Sequence, residues 1–142
     1  MPYWRLLYHL VWATVDRQPS ILGEREAWLH QILRGKAVEL GMVMHAVGNV
    51  EDHVHLVVSI PPKLAVSECV RQFKGASSHA LHRRGPATLF RWQEGYGALT
   101  IGDEIFPKVV AYVLAQKQHH RSNTTRAVYE QCNPPKPASP SP

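Results

Sequence analysis

Residues 3–14 alternate, with Trp4, Leu6, Tyr8, Leu10 and Trp12 set against Arg5, Leu7, His9 and Val11. A period of two is the strand period, so this spacing predicts a long first strand with one wholly apolar face. Asp16 and Pro19 bracket a turn. Over residues 24–40 the apolar positions Trp28, Leu29, Ile32, Leu33, Ala37 and Leu40 fall close to the helical repeat, and Gly41 stands where a helix-ending glycine belongs. Residues 42–50 alternate again, residues 49–52 read as a tight turn, and residues 53–60 form a third strand closed by Pro61 and Pro62. Residues 66–83 predict a second amphipathic helix with Val66, Val70, Phe73, Ser77, Ala80 and Leu81 on one face, stopped by Gly85 and Pro86. An irregular stretch over residues 90–96 leads into a short fourth strand, 97–101.

A third helix follows. Asp103 is its expected N-cap, Pro107 falls in its first turn, Val109, Val110, Val113 and Leu114 give it an apolar face, and it runs to about His119. The first six elements spell βαββαβ, which predicts an α+β fold: a ferredoxin-like sandwich, a four-stranded antiparallel sheet with two helices on one face, plus an extra C-terminal helix. The other sheet face is expected to be open, with the extra helix free to lie across it. Residues 1–132 read as one domain and residues 133–142 as a proline-rich, disordered tail.

Composition narrows the classes. A chain of 142 residues with 44% hydrophobic residues is large enough for one core. A formal net charge of +5 suits a polyanionic partner without requiring one. Cys69 and Cys132 lack C-x-x-C spacing, and Cys69 sits on an apolar helical stripe, so a buried free thiol is expected there. The N-terminus does not read as a signal peptide, and no apolar run reaches membrane-spanning length, so a cytoplasmic soluble protein is the expectation.

Chemistry gathers at Glu51-Asp52-His53-Val54-His55. On a strand His53 and His55 share a face, opposite Val54, Leu56 and Val58. Two adjacent imidazoles can hold one ion. In isolation His-x-His is more often a pair of solvated or core-edge histidines. Asp52 is a candidate to hydrogen-bond behind a ligating histidine. Tyr112 and Gln116 are four residues apart on the third helix and so share a face, which His119 and His120 roughly continue. A free phenol near pKa 10 is a poor nucleophile at neutral pH, but it can attack phosphorus when a metal polarises the phosphoryl group. Two imidazoles and an amide oxygen would suit Mg²⁺ or Mn²⁺. Lys63, Arg71, Lys74, Arg83, Arg84 and Arg91, interspersed with Phe90, Trp92 and Tyr96, are a pattern suited to single-stranded nucleic acid. Taken singly, each of these residues has an ordinary alternative: Arg83-Arg84 as a helix end, Trp92 as a lid on the core.

In combination these residues resemble the single-tyrosine HUH transposases of small bacterial insertion sequences, which move as single-stranded DNA. The similarity runs in order through Tyr8-His-Leu-Val-Trp-Ala-Thr14, Glu51-Asp-His-Val-His-Leu-Val-Val58, Phe73-Lys-Gly-Ala-Ser-Ser78, residues 92–102 and residues 109–120. It implies that His53, His55 and Gln116 bind the divalent ion. It implies that Tyr112 attacks a DNA phosphate to give a 5′-phosphotyrosine and a free 3′-hydroxyl. It implies a homodimer whose nucleophile helix can complete the partner's site, and substrates that are single-stranded ends carrying short hairpins, with Arg71, Lys74, Arg83, Arg84, Arg91 and Trp92 as DNA contacts. Residues 121–132 are shorter than the acidic, aromatic-bearing segment that often follows the His-His pair in the family. Tyr96, in a Gly-Tyr-Gly loop with no amide or acid four residues on, ranks below Tyr112 as nucleophile. A relaxase, a replication initiator or a domesticated relative would use the same chemistry. A ferredoxin-like RNA-binding module would carry aromatics where His53 and His55 stand.

Overall fold

The computed structural model describes residues 2–84 and 90–135. Four strands, β1 (Leu7–Ala13), β2 (Val43–Asn49), β3 (His53–Ser59) and β4 (Gly97–Thr100), make one antiparallel sheet in the order β2-β3-β1-β4. This is the ferredoxin-like order that the βαββαβ succession predicts. Helices α1 (Glu24–Glu39) and α2 (Val66–Arg84) cover one face. There Leu10, Trp12, Val54, Leu56 and Val58 meet Leu29, Leu33, Ala37, Val70, Phe73 and Leu81, all buried. Each of the Val, Leu and Phe side chains among them contributes about 1.5–3 kcal/mol on leaving water. Gly41, with φ +74°, ends α1 in the left-handed conformation that its sequence position predicts. Cys69 and Cys132 are both buried free thiols.

Three boundaries differ from expectation. β1 begins at Leu7 rather than Tyr3, because its pairing with β3 begins at Leu7↔Ser59 and with β4 at Tyr8↔Thr100. Tyr3 and Trp4 alternate correctly but have no strand to pair with, and they are exposed. Asp103 is not the cap of the third helix. α3 is Phe106–Leu114, preceded by Ile105 with no capping side chain, while the Asp103 carboxylate pairs with Arg5. Nor does that helix run through to His119. It breaks at Ala115 (φ −101°, ψ 24°), whose N–H is shared between the carbonyls of Ala111 and Tyr112, and α4 (Gln116–Arg121) starts anew. The predicted helix stop at Gly85-Pro86 and residues 136–142 of the predicted tail lie outside the described residues.

The second sheet face, expected to be open, is covered. α3 lies over β2 and β3, with Val109 and Val113 packed on Ala46 and Val57. A short helix, α5 (Ala127–Glu130), lies against β1, and Cys132 packs on Val11 and Ala13. Both coverings depend on missing side chains in the sheet. A Cβ at Gly48 would lie 1.8 Å from the Val113 carbonyl oxygen, and one at Gly97 would lie 2.1 Å from that of Gln131. That face is therefore roofed by α3 over β2 and β3 and by residues 127–132 over β1.

Ser77 shows how the α2 face anchors the loop beyond it. Its buried hydroxyl accepts a 2.8 Å hydrogen bond from the Trp92 indole N–H, and Trp92 packs edge-on to Trp12 and Phe90. Replacing Ser77 by Ala should destabilise the protein by about 1–2 kcal/mol, because the indole N–H loses its acceptor. Chemical denaturation would measure it. Ser77→Ala combined with Trp92→Phe should lose less than the sum of the two single changes; strict additivity would show that the bond is not the cause.

Candidate active site

His53 and His55 project from β3 onto the α3 side of the sheet, and neither is solvent-facing: they are 3% and 0% exposed. Their Nδ1 atoms have different partners. His53 Nδ1 is 2.6 Å from Asp52 Oδ1. His55 Nδ1 is 2.8 Å from Nε2 of His9, a buried β1 residue two pairing positions away in the sheet. With the Nδ1 protons donated to Asp52 and to His9, both Nε2 atoms are left as lone pairs, the arrangement a ligating imidazole needs. Burial, helped by His55, lowers the His9 pKa to about 3, so His9 stays neutral and able to accept.

Gln116 stands at the start of α4 and is 1% exposed. Its Nε2 donates to the Tyr112 carbonyl at 3.3 Å, leaving Oε1 as an unpartnered acceptor. Tyr112 is 5% exposed, with its ring 6.1 Å from that of His55 in the same chain. It stacks on His119 at 4.6 Å, tilts against Tyr129 at 4.9 Å, and its hydroxyl accepts from the Arg126 N–H at 3.0 Å. Burial raises its pKa, opposed by the Arg126 N–H. The four predicted residues thus meet in one buried place. The break at Ala115 does not separate them, because Gln116 reaches back one turn.

Glu130 occupies that place as well. Its Oε2 lies 2.8 Å from His55 Nε2, and its Oε1 lies 2.7 Å from His120 Nε2 and 3.4 Å from His53 Nε2. Burial would raise its pKa, but the histidines, His53 foremost, outweigh burial and hold the carboxyl well below the usual carboxylate range. For His53 burial pulls the pKa down, while Glu130 and Asp52 together outweigh it and raise the net value; for His55 burial wins and the pKa falls. One atom of each of His53, His120 and Glu130 lies within 4.8 Å of the others, a group able to hold a metal ion. The donors suit a divalent cation. His53 Nε2, His55 Nε2, Gln116 Oε1 and Glu130 Oε2 are all buried polar atoms without a hydrogen-bond partner. Such atoms are rare in folded proteins and ask for an explanation.

The family follows from the whole chain. The profile described as "Transposase IS200 like" matches residues 2–116. The chain belongs to this family. Among similar proteins, the ISDra2 transposase TnpA of Deinococcus radiodurans is 29% identical over 119 residues, covering 80% of this chain and 85% of that one. The IS200 transposase of Salmonella typhimurium is 28% identical over 143 residues, covering 96% and 90%. A solved transposase structure from Deinococcus radiodurans R1 superposes with a TM-score of 0.67 at 27% identity, covering 89% of this chain and 95% of that one. The fold is also that of a REP-associated tyrosine transposase bound to a REP hairpin, with a TM-score of 0.66 at 15% identity, covering 84% and 72%.

In this transposase the basic candidates lie on the other side of the sheet from the histidines. Arg71, Lys74, Arg91 and Trp92 line an open groove of about 670 Å³ between α2 and the loop after it. Arg71 is paired with Glu68, and the Lys74 ammonium donates to the carbonyls of Gln93 and Gly95, tying down that loop. Arg83 and Arg84 are exposed at the end of α2, with Arg84 stacked over Trp28. Tyr96 is half-buried against the α1/α2 core and lines a small pocket with His9. Glu130, His9 and Arg17 also stand at this site, and no motif or spacing in the sequence assigns them to it. Arg17, left-handed at φ 53°, brings Nη1 to 3.4 Å from His53 Nδ1 and 3.9 Å from Asp52. The strand alternation around His9 was the one signal that could have found any of them, since it puts His9 on the same face as Val11, the partner of His55. Among the described residues no helix is long and apolar enough to cross a membrane.

Proposed function

We propose that this transposase cleaves and rejoins single-stranded DNA at insertion-sequence ends, with Tyr112 as nucleophile and with His53, His55 and Gln116 holding a Mg²⁺ or Mn²⁺ ion. The observation that carries the reading is that His53 Nε2 and His55 Nε2, facing the Glu130 carboxylate, and Gln116 Oε1, beside Tyr112, are buried polar atoms without an aligned hydrogen bond. When bound, the ion supplies Lewis-acid polarisation of the scissile phosphate. Tyr112 Oη forms the new bond to phosphorus as the bond to the 3′ oxygen breaks. The phenol proton leaves the nucleophile and the departing oxygen gains one, giving a 5′-phosphotyrosine and a free 3′-hydroxyl. A second 3′-hydroxyl reverses the exchange on another strand end, so the bond energy is kept and no nucleotide is consumed. Asp52 and His9 hold the two imidazoles by their Nδ1 atoms, and Arg17 at the rim is suited to pair with a phosphate.

The strand would follow the basic groove, with Arg71, Lys74 and Arg91 in it and Arg83 and Arg84 at the exposed end of α2 facing phosphates, and Trp92 bordering the bases. The neighbour of the same fold is bound to a REP hairpin, which supports hairpin-bearing ends as the substrate. A homodimer is part of the same proposal, in which α3 serves its own histidines or those of the partner. The test is incubation of the protein with single strands from the ends of its element. A protein–DNA adduct should survive a denaturing gel, form only with Mg²⁺ or Mn²⁺, and vanish with EDTA. An adduct of equal yield in EDTA, or none with either ion, would overturn the proposal.

A further inference from the structure

We infer that Glu130 is a ligand of the same divalent ion, supplied by the segment after the histidine pair; the inference rests on the metal-site reading above. The carboxylate comes from α5, fourteen residues beyond Gln116, and nothing in the spacing of the histidine strand or the tyrosine helix points to it. Yet its Oε2 is 2.8 Å from His55 Nε2 in a buried contact, and neither atom has an aligned hydrogen bond. A buried carboxylate set against the lone pairs of two imidazoles is costly unless a cation or protons lie between them. His53 Nε2 lies 3.4 Å from Glu130 Oε1, and Gln116 Oε1 is buried without a hydrogen-bond partner. A cation between Glu130 and the two histidines would satisfy the facing atoms of all three.

Charge supports the assignment. Two imidazoles and an amide make a neutral donor set, whereas hard divalent ions favour oxygen and carboxylate donors. Glu130 is the anion in contact with both histidines of β3. It is held there by packing. Tyr129, its neighbour, is wedged between His9 (5.3 Å, edge-on) and Tyr112 (4.9 Å). His120 Nε2 meets Oε1 at 2.7 Å, which orients the carboxylate from the side away from His55. Gly97 leaves room for the Gln131 carbonyl, so the chain leaving α5 lies directly on the sheet. The segment is built into the site.

Mn²⁺ binding by the purified full chain, followed by loss of the free-ion electron paramagnetic resonance signal, tests this without any DNA. The wild type should bind one Mn²⁺ saturably, and His53→Ala should abolish binding. Glu130→Gln, nearly the same size, should weaken binding by at least about tenfold, since even residues behind metal ligands are worth that much. Glu130→Asp should fall between Gln and wild type, and Mn²⁺ should raise the melting temperature of the wild type more than that of Glu130→Gln. If wild type and His53→Ala bind Mn²⁺ differently but Glu130→Gln binds as tightly as wild type, this inference fails and the three-ligand site stands. Tighter binding by Glu130→Gln would also overturn it, marking the carboxylate as a plug. If the wild type binds no Mn²⁺, the metal-site reading itself fails.

Discussion

Tyr112→Phe is expected to leave no detectable protein–DNA adduct, a loss of at least about a thousandfold in cleavage, while Mn²⁺ binding and stability change little. The change removes one oxygen. That oxygen accepts a hydrogen bond from the Arg126 N–H and lies beside the Gln116 and Glu130 side chains, contacts that a neighbouring residue or water can take over once it is gone. The ring contacts with His119 and Tyr129 are kept by phenylalanine. The contrast between intact binding and lost chemistry identifies the nucleophile; an adduct of unchanged yield would remove Tyr112 from that role and return attention to Tyr96. The hydroxyl is buried with a raised pKa, so attack requires it to leave the Arg126 N–H and meet the phosphate. The break at Ala115 gives α3 a joint at which to move. Mixing Tyr112→Phe with His53→Ala subunits then locates the attack. Because Tyr112 stands beside its own His55, attack within one subunit gives no recovery of cleavage. Recovery at any ratio means that α3 serves the partner.

Much of this site is legible in the sequence because its parts obey short-range rules. Strand alternation alone puts His53 and His55 on one face and Val54, Leu56 and Val58 on the other; the apolar face meets the helices as that alternation implies, whereas the histidine face, expected to be open, is buried. The four-residue spacing of Tyr112 and Gln116 brings them together even across the break at Ala115. What escapes is whatever long-range packing decides. Residues 121–132 have no hydrophobic period, so nothing local announces that Tyr129 is wedged between His9 and Tyr112 or that Glu130 meets three histidines. Asp103 has the chemistry of an N-cap but is drawn to Arg5 instead. The exposed face expected from a bare βαββαβ unit is lost because α3 and α5 have apolar residues that must be buried somewhere. The resemblance to the transposase family supplied roles for His53, His55, Gln116 and Tyr112, and it was silent on Glu130.

Gly48→Ala is expected to damage the protein more than its size suggests, through both stability and chemistry. In a strand, glycine ordinarily reads as a weak point that alanine would improve. Here Gly48 pairs with His55 across β2 and β3, and the vacancy above it is filled by the α3 backbone. A Cβ would sit 1.8 Å from the Val113 carbonyl oxygen and 3.3 Å from its Cγ1, so α3 must lift away. Overpacking of this kind costs roughly 1–3 kcal/mol or more, which a thermal melt would register as a clear fall in Tm. Val113 follows Tyr112 directly, so the same displacement carries the phenol away from His55, and a shift of about 1 Å is worth roughly a hundredfold in rate. Adduct formation by the folded fraction should therefore fall by about that factor, while Mn²⁺ binding by His53 and His55, on β3, falls less. Gly35→Ala is the control. Gly35 lies in α1 with nothing within 4 Å of a built Cβ, so alanine there should be neutral or stabilising by up to about 1 kcal/mol. If Gly48→Ala behaves like Gly35→Ala, α3 is not seated on the sheet as described. If it melts earlier but cleaves normally, the seat of α3 matters to the fold alone, and the nucleophile reaches its phosphate from another position.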